Sequence, residues 1–160
     1  MTRINTIHPS DLLDQHLIAE WRELPRIPNT IISGKAKVNL KSIPANYKLG
    51  TGHVLFFYNK LTYLQKRHLL ICNEMDKRGI KRDTLVCVNL ESINDVYKAV
   101  LCNDWLPSTV DHDVNIERLT ERFDLRKRGY HLTAIDGIKQ IINCDQAFNE
   151  YANLHLAKYY

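Results

Sequence analysis

The longest stretch of helical periodicity runs from His53 to Gly79 and constrains the fold more than any other part of the chain. Apolar side chains recur there every three or four residues, the spacing at which residues share one face of a helix. This stripe consists of Phe57, Leu61, Leu64, His68, Ile71 and Met75. Gly79 is suited to end the helix, because glycine takes up the left-handed conformation common just after a helix. The pattern predicts a buried core helix with His68 packed inside and Arg67 and Arg78 on its other faces.

The composition is that of an ordinary globular protein. The chain has 160 residues, of which 44% are hydrophobic and 25% charged, which predicts one domain with a sizeable core. It lacks a run of about 18 apolar residues that could span a bilayer. Arg3 is followed by a polar stretch rather than by the apolar segment of a signal peptide. We therefore expect a cytoplasmic, monomeric protein that does not enter membranes.

The cysteines and the net charge bear on ligands. The four cysteines form no CxxC pair and have no neighbouring histidines at zinc-ligand spacing, so we predict buried, reduced thiols. They are Cys72, Cys87, Cys102 and Cys144. A formal charge of +4 is mildly basic and suits an anionic partner, although it does not establish one.

The first helix is predicted to open at Pro9-Ser10-Asp11, with Ser10 as its N-cap. Arg22 and Arg26 lie four residues apart and would share a face if this helix continued through Pro25. Proline removes a backbone hydrogen bond and kinks or ends a helix. The alternative is therefore a bend, at which Glu23 and Arg26 splay toward a substrate.

A later basic helix is predicted to begin at Asp111 or Asp113 and to reach about Arg128. Basic side chains recur every four residues along it and would form a cationic ridge, at Arg118, Arg122 and Arg126. Tyr130 and His131 follow, so this segment could contact phosphates and stack on a base. The alternative is a solvated helical face whose charges are balanced by Glu117, Glu121 and Asp124.

Four further segments complete the predicted fold. Residues 28–52 indicate a basic loop, which is either a solvated linker or a phosphate-contacting surface. Residues 84–90 indicate an extended connector and residues 92–101 a short helix. The periodicity and a helix-start box at Thr133 and Asp136 predict a last helix over residues 133–160. The predicted fold is mainly α: a compact single-domain bundle of about three to five helices with long basic loops, in which residues 133–160 form a C-terminal helical extension.

The N-terminus offers a nucleophile. Removal of Met1, which is usual before a small residue, would expose the α-amine of Thr2. The reference pKa of an α-amine is about 7.7 to 8.0, against about 10.4 for lysine, so a useful fraction is unprotonated at neutral pH. With the carboxylate of Glu23 and the guanidinium groups of Arg22 and Arg26, this amine would suit imine formation at a sugar carbon of a phosphate-linked polymer, without a metal or cofactor. The alternative for the arginine-glutamate cluster is a surface ion pair.

The order of several long motifs resembles a known family. These motifs are MTRIN, DQHLIAEWRELPR, IPANYKLGTGHVLFFYNKL with QKR, and ERLTER. In this order they are similar to the pyrimidine-dimer DNA glycosylase and AP lyase family of the phage endonuclease V type. The similarity runs with little interruption from Met1 to about Arg126.

The resemblance implies a compact, mainly helical enzyme that removes cyclobutane pyrimidine dimers from double-stranded DNA and nicks the strand without a cofactor. Its nucleophile would be the amine of Thr2, and the matching carboxylate would be Glu23. The family's DNA-contacting arginines match Arg3, Arg22, Arg26 and Arg118, while Gln15 and His16 match positions that help to build the site. Family members also kink DNA and extrude a base, which exposes the sugar carbon.

The chain departs from the family pattern after the later basic helix. The family carries a segment rich in Trp and Tyr there, whereas this chain has Arg128-Gly129-Tyr130-His131-Leu132 and about thirty further residues, ending in Tyr159 and Tyr160. Two alternatives follow: an enzyme of the same chemistry with a different lesion, or a helical DNA-binding protein that has lost catalysis. The presence of Thr2 and Glu23 favours an enzyme.

Overall fold

The computed structural model describes residues 3–124 and 129–160. Helices dominate this part of the chain, which confirms the mainly α architecture. The helices are α1 (Asp14–Glu23), α2 (Arg26–Ile32), α3 (His53–Phe56), α4 (Leu61–Lys77), α5 (Asp95–Leu101), α6 (Thr109–Asp124) and α7 (Asp145–Tyr151), and the strands are β1 (Tyr130–Thr133) and β2 (Lys139–Ile142). Short helical turns lie at Pro9–Asp11, Leu40–Ser42, Ala152–Leu156 and Ala157–Tyr159. None of the described helices is long and apolar enough to cross a membrane.

Helix α4 is the central element, as its apolar stripe predicts. Its buried residues pack against α1, and Gly79 follows it with a φ of 67°. The predicted stretch is divided, however, because α3 ends at Phe56 and α4 begins at Leu61. Lys60 turns the chain here by donating from Nζ to the Phe56 carbonyl at 2.9 Å. Arg67 and Arg78, predicted on the faces away from the apolar stripe, are both buried.

Helix α1 begins later than predicted. Pro9–Asp11 forms a 3-10 turn, and α1 opens at Asp14, so Ser10 is not its N-cap. Arg78 explains the delay, because its guanidinium donates to the carbonyl oxygens of Pro9, Ser10 and Leu12 at 2.7 to 3.0 Å. The carbonyls of Ser10 and Leu12 are thereby bonded to Arg78, while that of Pro9 also accepts from the Leu12 amide in the 3-10 turn at 3.2 Å.

The first helix is interrupted at Pro25, as one of the two alternatives predicts, but Glu23 and Arg26 form an ion pair at 2.8 Å and do not splay apart. Helix α1 ends at Glu23 and α2 begins at Arg26. Helix α2 occupies residues 28–32, so the predicted loop over residues 28–52 is wrong there and begins only after Ile32. Residues 86–90 form a connector outside helices and strands, as predicted, but Thr84 and Leu85 form a turn. The predicted short helix is α5.

Helix α6 begins at Thr109, before both predicted caps. Ser108 and Asp111 satisfy each other's backbone: the Asp111 carboxylate accepts from the Ser108 amide at 2.8 Å, and the Ser108 hydroxyl accepts from the Asp111 amide at 3.3 Å. This is a capping box with serine first and aspartate three residues later. Asp111 therefore belongs to the first turn and is not the cap.

A β-hairpin replaces the first part of the predicted last helix. Strands β1 and β2 are antiparallel, with Thr133 paired with Lys139. The turn runs from Ala134 to Gly137, whose amide donates to the Ala134 carbonyl at 2.9 Å. The Asp136 carboxylate accepts from the amide of Ile138 at 3.0 Å, and Gly137 has a φ of 82°. An Asp-Gly pair between apolar residues is a strong hairpin signal, and it overrides the helical spacing of the isoleucines. The helical extension over residues 133–160 is therefore wrong before Asp145, where α7 begins.

The hairpin is fixed to the first turn of α1. The Asp14 carboxylate accepts from the amide and the hydroxyl of Thr133 at 3.2 and 2.5 Å, and it also pairs with Arg78 at 2.9 Å. Next to it, the Gln15 amide group exchanges two hydrogen bonds with His131, at 2.9 and 3.1 Å. Strand β1 is thereby held along α1.

The C-terminal residues close on the N-terminal turn. The buried carboxylate of Asp11 accepts from His155 Nδ1, Lys158 Nζ and the Tyr159 hydroxyl at 3.1, 2.9 and 2.7 Å. These bonds, with that of Lys158 first among them, hold the pKa of Asp11 below its usual range despite its burial. The Tyr159 hydroxyl also accepts from the amide of His8 at 2.9 Å.

The four cysteines are free thiols, as predicted, but only some are sheltered. Cys72 is buried and Cys102 half-buried, whereas Cys87 and Cys144 are exposed. The expectation of four buried thiols is therefore wrong for Cys87 and Cys144. Both lie outside helices and strands, so no packed face covers them.

Candidate active site

The N-terminal segment, residues 3–7, runs through the interior instead of fraying as chain ends commonly do. Ile4, Asn5 and Ile7 are buried. Both backbone polar groups of Ile4 are bonded to side chains: its amide donates to His53 Nε2 at 2.9 Å, and its carbonyl accepts from the Tyr47 hydroxyl at 3.0 Å. These partners lie 49 and 43 residues away in the sequence. The segment is thus positioned by the tertiary structure.

A buried ion pair holds the next part of the segment. Glu20 accepts from the Asn5 amide at 3.1 Å and from its side-chain amide at 2.7 Å. Arg67 donates to both oxygens of Glu20, at 2.9 and 3.0 Å, and to the Ile7 carbonyl at 2.6 Å. Each carboxylate and guanidinium group is therefore hydrogen-bonded, which is the condition for burying such charges.

A small cavity of about 90 Å³ opens beside this segment. We call it the Glu23 cavity. It is lined by Arg3, Asn5, Gln15, His16, Ala19, Glu20, Glu23, Arg122 and Tyr130. Glu20 and Glu23 are three residues apart on α1 and so lie on the same side of the helix. Glu20, which binds Asn5, and Glu23, the predicted catalytic carboxylate, therefore share one face of α1.

Arg3, which lines the Glu23 cavity together with the carboxylates of Glu20 and Glu23, lies near the positive charges of Arg122 and Arg118. Arg3 is half-buried, and its pKa falls to about 10 because of burial first and the charges of Arg122 and Arg118 next. A lowered arginine pKa means that positive groups crowd together in a poorly hydrated place. A phosphate group bound near them would relieve this repulsion.

Several predicted site residues are brought together by the fold. Arg3, Gln15, His16, Glu23 and Arg122 all line the Glu23 cavity although α1 and α6 are distant in sequence. Gln15 also contacts His131 of the hairpin. The predicted partnership between the N-terminal region and the later basic helix is therefore present in the structure.

The remaining predicted arginines occupy the surface. Arg22 is exposed in the last turn of α1. Arg26 pairs with Glu23 at 2.8 Å, with 68% of its side chain exposed against 27% for Glu23. Arg118 pairs with Glu121 at 2.7 Å. The ion-pair alternatives for both basic clusters thus describe part of this structure.

Tyr130 has a different environment from the one predicted. It is only 1% exposed and packs between Phe123 and His16, with ring centroids 5.4 and 5.2 Å away. Its hydroxyl donates to the Arg122 carbonyl at 3.3 Å. The expectation that Tyr130 stacks on a base is wrong because both faces of its ring are covered. Tyr130 is part of the core that supports the cavity.

Two predicted residues, Thr2 and Arg126, lie outside the described residues, as does Met1. The terminal tyrosines, which could have replaced the family's aromatic segment, lie elsewhere: Tyr159 is bonded to Asp11 and packs on His112 at 5.0 Å, and Tyr160 is 74% exposed. Neither lines the Glu23 cavity.

Sequence reasoning missed the residues that hold the N-terminal segment, namely Glu20, Tyr47, His53 and Arg67. One signal was available. Leu13, Leu17 and Glu20 follow helical spacing, which places a carboxylate within a buried stripe, where it must find a partner.

Comparison with known protein families matches residues 1–87 to a family described as pyrimidine dimer DNA glycosylase. The match covers more than half of the chain. It includes the N-terminal segment, helices α1 to α4 and every residue of the Glu23 cavity except Arg122 and Tyr130. A glycosylase of this kind binds damaged DNA, which suits the basic surroundings of the cavity. The chain belongs to the pyrimidine dimer DNA glycosylase family.

Proposed function

We propose that the protein excises UV-induced cyclobutane pyrimidine dimers with the α-amine of Thr2 as nucleophile and then nicks the strand as an AP lyase. One observation carries this proposal: Arg3, the residue bonded to Thr2, lines the same 90 Å³ cavity as Glu23. An N-terminal amine needs no burial to be partly unprotonated at neutral pH.

The proposed reaction begins with attack of the amine nitrogen on C1′ of the damaged nucleotide. The bond between C1′ and the base breaks, and the base takes up the proton that the nitrogen loses. In a cyclobutane dimer this base stays joined to its neighbour through the cyclobutane ring. Opening of the sugar ring, with O4′ taking up a proton, gives a protonated imine at C1′. This cation acidifies C2′, whose proton leaves together with the 3′ phosphate by β-elimination, and water then hydrolyses the imine and restores the amine. Glu23 would move the protons at the sugar.

Arginine side chains would hold the phosphates that flank the reacting nucleotide, since guanidinium makes bidentate contacts. The proposed DNA contacts are Arg3, Arg22, Arg26, Arg118, Arg122 and Arg126. Arg26 has a second effect, because it pairs with Glu23 in this structure. A phosphate that engages Arg26 would compete with Glu23 for this pair.

The other proposed site residues act through position. Gln15 joins α1 to the hairpin through His131, and His16 packs against Tyr130. They would keep the wall of the Glu23 cavity in place while the sugar enters it. We infer further that residues 1–160 act as one monomeric repair domain, in which the hairpin and α7 serve as scaffold.

Borohydride trapping tests the proposal, because it reduces an imine between protein and DNA to a stable bond. The substrates are duplexes with a single abasic site or a single cyclobutane dimer. We expect the processed protein to be trapped on both, and protein that retains Met1 to be trapped at least about ten-fold more slowly, since its amine is one residue too far out. Glu23→Gln should bind both duplexes but break little of the bond between C1′ and the base in the dimer duplex. Absence of a trapped complex with the processed wild type would contradict the imine mechanism.

A panel of duplexes with other damaged bases tests the lesion. If the abasic duplex is trapped and nicked but the dimer duplex is not, the lyase chemistry stands and the lesion differs. Salt-dependent binding to all duplexes without trapping would indicate a DNA-binding protein without catalysis.

A further inference from the structure

Both backbone polar groups of Ile4 are hydrogen-bonded to side chains and not to another backbone segment. His53 accepts the Ile4 amide, and Tyr47 donates to the Ile4 carbonyl. The Tyr47 hydroxyl in turn accepts from the side-chain amide of Asn115 on α6. Ile4 lies two residues after Thr2. Among the hydrogen bonds of the described residues, these two are therefore the nearest in sequence to the proposed nucleophile.

His53 is suited to this role only in one protonation state. Its Nδ1 lies 2.8 Å from the Lys48 carbonyl, which can only accept, so the proton is on Nδ1 and the lone pair of Nε2 receives the Ile4 amide. The ring is enclosed by Tyr47 and Phe57, with centroids at 5.5 and 5.4 Å. Burial first, and then the charge of Arg3, lowers the pKa of His53. The neutral form with its acceptor nitrogen therefore prevails near neutral pH.

The direction of the segment brings its beginning toward the cavity. Asn5 is bonded to Glu20, whereas Arg3, two residues earlier, lines the cavity with Glu23, three residues later on α1. The N-terminal segment and α1 are thus joined at Asn5 and Glu20, and both lead from there to the cavity where the reaction is proposed. A shift at Ile4 would be passed directly to the residues before it, which are joined to it by two peptide units.

We propose that His53 and Tyr47 are positioning residues for the N-terminal amine: by holding the amide and the carbonyl of Ile4, they place the amine for attack at C1′. This inference rests on the proposed function. Neither residue touches the substrate in this scheme, so their loss affects the rate of imine formation and leaves the binding of DNA intact. Displacing a reacting group by about 1 Å can slow a reaction about 100-fold.

A second buried histidine provides a matched control. His68 on α4 is as buried as His53, and burial lowers its pKa as well. Its ring contacts Cys72, with Nδ1 3.7 Å from the sulfur, and makes no hydrogen bond to the N-terminal segment among those of the described residues. Replacement of His68 by leucine should therefore cost stability without moving the amine.

The experiment compares His53→Leu, His53→Gln, Tyr47→Phe and His68→Leu, all with Met1 removed. The single-turnover rate of borohydride trapping is measured on a duplex with one abasic site, together with the Kd for that duplex and the midpoint of thermal unfolding. His53→Leu should be trapped at least about ten-fold more slowly, with a Kd within about two-fold of wild type. His53→Gln, whose side-chain oxygen can accept the Ile4 amide, should recover most of the rate.

Tyr47→Phe covers the case in which His53→Leu does not fold, because it removes a hydroxyl and keeps the ring. It should also slow trapping at an unchanged Kd, while His68→Leu, at a comparable loss of thermal stability, should keep the wild-type rate. Wild-type trapping rates in both His53→Leu and Tyr47→Phe would overturn the inference and leave the proposed function standing, as would equal slowing by His68→Leu. A wild type that is never trapped would overturn the proposed function, and the inference with it.

Discussion

Glu20 and Arg67 form a bidentate ion pair inside the protein, with only 1% and 5% of their side chains exposed. Each also bonds the N-terminal segment, at Asn5 and at Ile7. Replacing buried charges by packed apolar groups is often neutral for stability, so such a pair is weak evidence of a stabilising role. Its bonds to Asn5 and Ile7 have a different consequence: they fix the position of the N-terminal segment beside α1, the helix that carries Glu23.

Glu20→Gln should strongly destabilise the protein, because it leaves the buried guanidinium of Arg67 without a counter-charge. Breaking a buried pair from one side costs about 3 to 5 kcal/mol of the free energy of unfolding. Urea unfolding measures this quantity. Asp104→Asn is the control, since its pair with Lys66 is exposed and should be worth at most about 1 kcal/mol. Equal effects of the two variants would contradict the role assigned to burial.

Acid should destabilise the protein through its buried histidines. Burial lowers the pKa of His53 and His68 from the usual 6.5. The unfolded chain then binds protons more readily, so this stability is complete above pH about 6.5 and is lost as the pH falls toward the lowered values. His53→Gln removes one such group, and the slope of unfolding free energy between pH 6.5 and 5 should fall by up to about 1.4 kcal/mol per pH unit. An unchanged slope would mean that His53 is not a neutral acceptor.

The C-terminal residues should loosen when Asp11 loses its charge. Asp11→Asn keeps the size of the side chain but weakens the bonds from His155, Lys158 and Tyr159. Hydrogen bonds to charged groups are worth about 1.5 to 3 kcal/mol, so we expect a loss of about 2 to 3 kcal/mol in urea unfolding and faster proteolysis near the C-terminus. Asp95→Asn, on the exposed start of α5, should change neither. Intact resistance to proteolysis in Asp11→Asn would show that other contacts hold the end of the chain.

The basic ridge of α6 should contribute to DNA binding without setting the chemistry. Arg118→Ala should lower the slope of log affinity against log salt by about 1, because one fewer phosphate is neutralised. Fluorescence anisotropy with an undamaged duplex at several salt concentrations measures the slope. Lys77→Ala is the control, since Lys77 is exposed at the end of α4 and outside the Glu23 cavity. The same slope for Arg118→Ala and wild type would remove Arg118 from the DNA-binding surface.

The features that depend only on neighbouring residues in the sequence were largely predicted. The stripe from Leu61 to Met75, the stop at Gly79 and the interruption at Pro25 all appear in the structure. The hairpin was missed although its signal, Asp136-Gly137, is equally local, because the isoleucines around it also fit helical spacing. The partners of Ile4 could not be predicted, since His53 and Tyr47 meet it only after the chain has folded.

For the site, the family resemblance implied Arg3 and Glu23, and the four-residue repeat of the later helix pointed to Arg122; the structure brings all three to one cavity. Tyr130 shows the limit of such reasoning. An aromatic residue beside a basic helix is compatible with base stacking, but only the packing of Phe123 and His16 reveals that its ring is covered.

The identity of the trapped nucleophile tests the central claim most directly. Protein trapped with borohydride on abasic DNA can be cut before Asp11, which gives a peptide of residues 2–10 once Met1 is removed. This peptide contains no lysine, so its only amine is that of Thr2. The proposed mechanism predicts that mass spectrometry finds the reduced sugar adduct on this peptide. An adduct on a lysine-containing peptide, with residues 2–10 unmodified, would contradict it.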